Sequence, residues 1–126
     1  MKIHLRKGLP FISATVVYRG NHLVLKNILL DTGSAGTVFS TDKVSPIGLT
    51  YELNDMIHSI RGVGGSEFVF TKTIDGLKVD RLQVGALEVE IGAMDYGFEI
   101  DGIIGMDFLA QVGAVVDLSV MEIRSS

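Results

Sequence analysis

The chain has 126 residues, 47% of them in the hydrophobic classes, which suits one domain around one core and leaves no length for a second. Its 11 Lys and Arg against 15 Asp and Glu give a net charge of −4 with no basic cluster, which excludes the electrostatic footprint of a nucleic-acid binder or an anionic-membrane binder. With no Cys, disulfides, thiol catalysis and thiolate metal sites are excluded, as suits a reducing compartment.

Met1 to Lys7 is charged too early for a signal peptide, and no stretch approaches the roughly 20 apolar residues that cross a bilayer, so the expected location is the cytoplasm. Short runs rich in Val, Ile, Leu, Phe and Thr, cut by Gly, Asn or Asp, then dominate the chain and predict a mostly β domain. Phe11 to Tyr18 reads as a strand, Arg19-Gly20-Asn21 as its turn and His22 to Leu30 as the returning strand. A brief strand over Thr37 to Ser40 precedes a polar connection through Pro46 and Gly48. Ile57 to Arg61 and Glu67 to Ile74 flank Gly62-Val63-Gly64-Gly65, whose glycines supply the positive φ angles of a tight, mobile hairpin tip. Leu82 to Val84 and Leu87 to Ile91, split by Gly85-Ala86, predict a third hairpin, and Val115 to Asp117 with Val120 to Ile123 a short fourth. One helix is expected, from about Met106 to Val112, with Gly113 at its left-handed C-terminal cap.

Asp31 follows the apolar run Ile28-Leu29-Leu30 and is followed at once by Thr32-Gly33-Ser34. A carboxylate is thereby delivered from a buried strand into a turn, where it must be hydrogen-bonded, protonated or at work. Gly33 admits a close backbone approach, and Thr32 and Ser34 offer hydroxyls. From these residues alone a plain surface turn is an equal reading, since Asp, Thr, Gly and Ser are ordinary turn formers. A second segment, Ile100-Asp101-Gly102-Ile103-Ile104-Gly105-Met106-Asp107-Phe108-Leu109, sets an apolar strand against a glycine and then a helix. By itself it is equally a common core unit. Its order of strand, glycine and helix hints at a relation to the earlier strand with Asp-Thr-Gly, as two related halves.

Asp-Thr-Gly-Ser after an apolar strand, a glycine-tipped hairpin, then Ile-Ile-Gly before a short helix is an ordered set, and in it the chain resembles the retropepsin-like aspartic peptidases over roughly Phe11 to Ile123. The Gly62 to Gly65 tip is similar to the flap of retroviral proteases, and Gln111-Val112-Gly113 is also similar to that group. The resemblance implies a closed, barrel-like β half over residues 1–126 that works as a homodimer on a peptide or protein substrate, with no cofactor. Asp31 would be the catalytic carboxylate, one from each subunit. Thr32 would brace the two active-site loops and Gly33 would let substrate backbone pass. Ser34, Ala35 and Ile104, with Ile60, Gly62, Val63, Gly64 and Gly65 of the flap, would contact substrate, and Gly105 would pack beside the catalytic loop.

Two adjacent carboxylates cannot both ionise cheaply, so such a pair shares a proton and supplies a base and an acid together. A Ser34 hydroxyl donated to the carboxylate would favour its charged form and give a more acidic activity profile than Ser34→Ala. Val38, Val63 and Ile104 suggest hydrophobic side chains around the cut bond. The chain also departs from its relatives: retroviral proteases carry acidic residues shortly after the motif and an Arg after the second glycine, where Ala35, Gly36 and Met106 stand here. Its dimer must be held differently. Asp107 is expected to serve the start of the helix. His4, His22 and His58 are scattered without the spacing of a zinc pair, and the glycine tip lacks the Lys-Ser/Thr ending of a phosphate loop. Arg61 reads as a solvated strand charge within reach of substrate. A retropepsin-fold dimer that binds peptides without turnover is the alternative, since one fold hosts many functions.

Overall fold

The computed structural model describes the backbone of residues 1–62, 65–95 and 97–126, and side chains throughout that span except at 60–62 and 65–67. Strand β1 (His4–Arg6) turns at Lys7-Gly8 into β2 (Leu9–Tyr18), which turns at Arg19-Gly20 into β3 (Asn21–Leu30). All four turn residues have positive φ, between 48° and 81°. That is the two-residue hairpin geometry whose twist matches its strands. There follow β4 (Val38–Ser40), a helical turn α1 (Thr41–Val44), a 3-10 turn over Ser45–Ile47, β5 (Ile57–Gly62) and β6 (Gly65–Ile74). The remainder is β7 (Gly76–Val79), β8 (Leu82–Val84), β9 (Leu87–Gly92), β10 (Gly102–Ile104), α2 (Met106–Gln111), β11 (Ala114–Asp117) and β12 (Glu122–Ser125). The fold is mainly β, and no helix of the described residues is long and apolar enough to cross a membrane.

Ten strands form one sheet in the order β5-β6-β9-β4-β10-β3-β2-β7-β8, with β1 added to β2, while β11 and β12 pair by themselves. At its centre β10 lies parallel to β3, with Gly102, Ile103 and Ile104 opposite Ile28, Leu29 and Leu30. Its other edge runs antiparallel to β4. The two sequence segments with chemical interest are therefore adjacent strands. Alternation sends Ile28, Leu30, Phe39, Val89, Ile91 and Ile104 into the core, where Phe108 and Leu109 of α2 join them.

Three expectations are corrected. The connection through Pro46 and Gly48 holds a helical turn and a 3-10 turn, so α2 is not the lone helix; the fully buried Val44 and Leu49 anchor it, and Pro46 presets its φ. Leu82 to Val84 and Leu87 to Ile91 do not pair with each other. Instead β8 pairs with β7 across Asp80-Arg81, where Asp80 takes φ 53°, and β9 inserts between β6 and β4. The buried alternation of Leu87, Val89 and Ile91 explains why β9 takes an inner place, and Gly85-Ala86 is the corner that leads there. The last hairpin pairs Ala114–Asp117 with Glu122–Ser125, leaving Val120 in the turn, because Asp117 Oδ1 accepts the Ser119 N–H and hydroxyl and closes the chain there.

Candidate active site

The β3 backbone ladder runs one residue past its end: Asp31 N–H donates to the Ile104 carbonyl at 3.0 Å. This bond fixes where the strand releases the Asp31 side chain. Asp31 Oδ1 then accepts the Gly33 N–H at 2.9 Å, and its carbonyl accepts the Ser34 N–H at 3.2 Å. A Cβ on Gly33 would stand 3.1 Å from Oδ1, so the glycine keeps the carboxylate uncrowded. Asp31 is half-buried, and Thr32 and Gly33 are exposed at the loop's crest.

The loop is seated on the start of α2. Met106 N–H donates to the Ser34 carbonyl at 2.7 Å and Asp107 N–H to the Ala35 carbonyl at 3.1 Å, so two helix-start donors that lack an intrahelical partner are satisfied by the loop. Gly105 makes this possible. A Cβ there would meet the Gly36 oxygen at 2.5 Å and the Ser34 oxygen at 2.6 Å. Beneath the loop, buried Thr37 donates its hydroxyl to Asp107 Oδ1 at 2.7 Å and accepts the Gly105 N–H at 3.3 Å, while Thr37 N–H reaches Asp107 Oδ2 at 3.0 Å. Asp107 also accepts the Phe108 N–H, so its carboxylate is a structural clasp between loop and helix. Thr37 was legible in the sequence only as the start of a strand; its role depends on a partner seventy positions away.

A second clasp holds the other end of β10. Asp101 is buried, and its Oδ2 accepts the N–H groups of Lys26 and Asn27 at 3.2 and 3.1 Å. Its Oδ1 faces the Lys43 ammonium at 3.7 Å. The Glu99 hydrogen bond, then the Asp101 charge, raises the Lys43 pKa above its ordinary value and keeps it cationic.

Two expected substrate contacts are placed differently. Ser34 donates its hydroxyl to the Gly36 carbonyl at 2.7 Å, not to Asp31, because the loop must close on itself before meeting Gly105. Its one proton is thus committed to the loop, and the expected shift of the activity profile loses its basis. Ile104 is 0% exposed and belongs to the core; by strand alternation Ile103 is the residue that shows on the opposite face. Ala35 is exposed beside Thr32 and Gly33.

That opposite face is a continuous row. Register sets Leu29 beside Ile103, Ile103 beside Val38, Val38 beside Glu90 and Glu90 beside Thr71, and all five are half-buried. Cross-strand partners share a face, so the row leads from the Asp31 strand to β6. There β5 and β6 pair antiparallel from Ile57 opposite Phe70 to Gly62 opposite Gly65, giving the expected glycine-tipped hairpin. Val63 and Gly64, and the side chain of Ile60, lie outside the described residues.

A cation anchors the base of this hairpin. Lys72, 5% exposed on β6, meets Asp55 at 2.8 Å and Glu52 at 2.5 Å. Burial opposes its charge, but the hydrogen bonds it donates to Asp55 and Glu52 outweigh it and the Lys72 pKa is raised. In return, the Lys72 hydrogen bond and the Arg19 charge hold Glu52 below its ordinary value. Asp55 is lowered too: burial pushes it up, and bonds from Lys72 and the Glu52 N–H overcome that.

A mainly β domain whose strand-end Asp-Thr-Gly loop rests on a Gly-capped helix, with a glycine-rich hairpin in the same sheet, is consistent with an aspartic protease fold. A sequence model described as aspartyl protease matches residues 14–108, more than half of the chain and inclusive of both motifs. The chain belongs to this aspartyl protease family, which is of the retropepsin-like type. A comparison with curated proteins gives no match.

Proposed function

We propose that this protein is an aspartic endopeptidase that works as a homodimer, each copy a single barrel-like domain over residues 1–126 that contributes one Asp31. The observation that carries the reading is Asp31 itself: a strand-end carboxylate with one oxygen on the Gly33 N–H, half-buried behind an exposed Thr32-Gly33 crest. The 126 residues hold one Asp-Thr-Gly, and in this reading a second copy supplies the second such carboxylate. Side by side, the two share a proton, since like charges at that range cannot both ionise. The ionised Asp31 takes a proton from a water whose oxygen attacks the scissile carbonyl carbon. The protonated Asp31 gives its proton to the carbonyl oxygen. Collapse of the resulting diol breaks the C–N bond and sends a proton to the leaving amine.

The substrate lies extended across the Leu29, Ile103 and Val38 row beneath the β5–β6 flap, with which its backbone pairs in the manner of an added strand. Those side chains favour hydrophobic residues next to the cut bond. Thr32 braces the two loops against each other. With no cysteine to be affected by reductant, the protein is assigned to the cytoplasm.

Cleavage of a peptide mixture by wild type and Asp31→Asn tests this, with sedimentation reporting the assembly state. Loss of at least roughly 10³-fold in rate for the variant is expected, as for removal of an acid and base together. Undiminished cleavage by Asp31→Asn, or activity confined to a monomer, removes the mechanism.

A further inference from the structure

Glu90 stands on the same face as the hydrophobic row, between Val38 of β4 and Thr71 of β6. Its neighbours in sequence, Val89 and Ile91, point into the core, so its half-buried side chain is turned outward by alternation. One carboxylate oxygen, Oε2, meets His58 Nε2 of β5 at 3.0 Å. The other, Oε1, accepts no hydrogen bond from a described residue and lies 3.8 Å from where a Cβ on Gly36 would be. A side chain at Gly36, next after Ala35 in the loop, would thus stand in van der Waals contact with this oxygen, and glycine leaves that side of an acceptor with free lone pairs uncovered.

A carboxylate takes about four hydrogen bonds in total, and ligands that bring donors and positive charge fit it best. The site is 27% exposed, shielded enough to strengthen an ion pair relative to open solvent. Three strand spacings separate Glu90 from Leu29, roughly 14 Å, which along an extended peptide is about four residues.

We infer that Glu90, whose Oε1 lies beside the side-chain-free Gly36, selects substrates carrying a lysine or arginine side chain a few residues from the cut bond. This rests on the peptidase reading of the Asp31 face and adds a charge requirement to its hydrophobic centre. His58 competes for the same carboxylate and moderates the preference. It positions the Glu90 side chain across the β6 strand.

The test uses uncleavable statine-containing peptides with Lys, Gln or Glu placed in turn at the second, third and fourth residue on either side of the statine. Their binding to the full chain is measured by calorimetry for wild type, Glu90→Gln and His58→Asn. At one position wild type binds the Lys peptide about 5–30-fold more tightly than the Gln peptide, the range for a half-shielded charge pair. Glu90→Gln, isosteric and with its backbone bond to Thr37 untouched, brings that ratio near one, and His58→Asn raises it. Equal binding of Lys and Gln peptides by wild type, no binding of either, or the same ratio in Glu90→Gln overturns the assignment. Turnover is not involved in this readout. A chain that discriminates by charge yet leaves cleavable peptides intact loses the peptidase reading alone, and one that cleaves without discriminating loses the Glu90 assignment alone.

Discussion

Gly105→Ala isolates the contact between the Asp31 loop and α2. Gly105 has φ −106° and ψ −169°, an extended conformation that alanine adopts freely, so the backbone itself imposes no penalty. The added methyl group would stand 2.5 Å from the Gly36 oxygen, 2.6 Å from the Ser34 oxygen and 2.9 Å from the Gly36 carbonyl carbon. All three are backbone atoms and cannot rotate away. Restoring ordinary contact requires the loop to lift by somewhat under about 1 Å, an overpacking cost of about 1–3 kcal/mol. Lifting also stretches the bonds from Met106 and Asp107 to the Ser34 and Ala35 carbonyls, each worth about 0.5–1.5 kcal/mol net. A total of about 2–6 kcal/mol is expected, which for a domain of this size lowers Tm by roughly 8–24 °C. Because the same motion carries Asp31, kcat falls by about 10²-fold even where the protein stays folded, the usual penalty of a misplacement on that scale. Thermal unfolding followed by circular dichroism, with peptide-cleavage kinetics at a temperature well below the variant's Tm, measures both. An unchanged Tm together with unchanged kcat would refute the claim that the loop is seated on the helix start through this glycine.

Ser34→Ala removes the bond that closes the loop on the Gly36 carbonyl, so it costs about 1 kcal/mol in chemical denaturation. The shape of the pH–activity profile stays that of wild type, and an alkaline displacement would show that the hydroxyl serves Asp31 after all. Lys72→Met strips Asp55 of its cation and leaves Glu52 only the exposed Arg19, and it destabilises by about 1–3 kcal/mol, less than for breaking a fully buried pair because both carboxylates keep some solvent. The pH sign follows from the shifts. Glu52 and Asp55 have lowered folded values, so their contribution is complete above their unfolded values near pH 4 and disappears as pH falls through the folded ones. Lys72 has a raised folded value, so its contribution is complete below about pH 10.4 and is lost only as pH rises through the folded value. Tm measured from pH 2 to pH 7 should therefore drop less steeply below pH 4 in Lys72→Met than in wild type, and parallel curves would dissociate the cluster from acid stability.

Local signals carried the strands and the Asp31 loop, because apolar alternation and turn chemistry are written in adjacent residues. Leu9–Tyr18 and Asn21–Leu30 differ from their expected bounds by no more than two residues at either end. Pairing was less legible. Gly85-Ala86 has the composition of a hairpin turn, yet β8 and β9 go to different neighbours, since which strand a buried run lies beside is decided by the rest of the sheet. The face of a residue in Ile103-Ile104 was ambiguous for the same reason: two consecutive isoleucines fit either phase. Counting back from the ladder bond between Asp31 and Ile104 settles the phase, and that bond joins residues from opposite ends of the chain. Glu90 carried a weak signal, an acidic residue at the outward phase of a buried strand, but its nearness to Gly36 is a property of register.

The three aspartates of the two motifs differ in how much of their hydrogen-bonding capacity the chain itself consumes. Asp107 takes the Thr37 hydroxyl, the Thr37 N–H and the Phe108 N–H, which leaves about one of its four acceptor sites. Asp101 takes two backbone N–H groups and sits buried against Lys43. Asp31 takes the Gly33 N–H and, among the described residues, no other side-chain bond, so about three sites remain for water, a second carboxylate or substrate. The difference follows from position along the sheet. Asp101 and Asp107 bracket Ile103-Ile104 and clasp β10 to β3 and to the loop, one at each end, while Asp31 projects past the last ladder bond they make rigid. A carboxylate used as an acid or base must be held in place without being saturated. In this chain the holding is delegated to the two flanking aspartates, Thr37 and Gly105, and Asp31, the group proposed for that work, is left with its lone pairs.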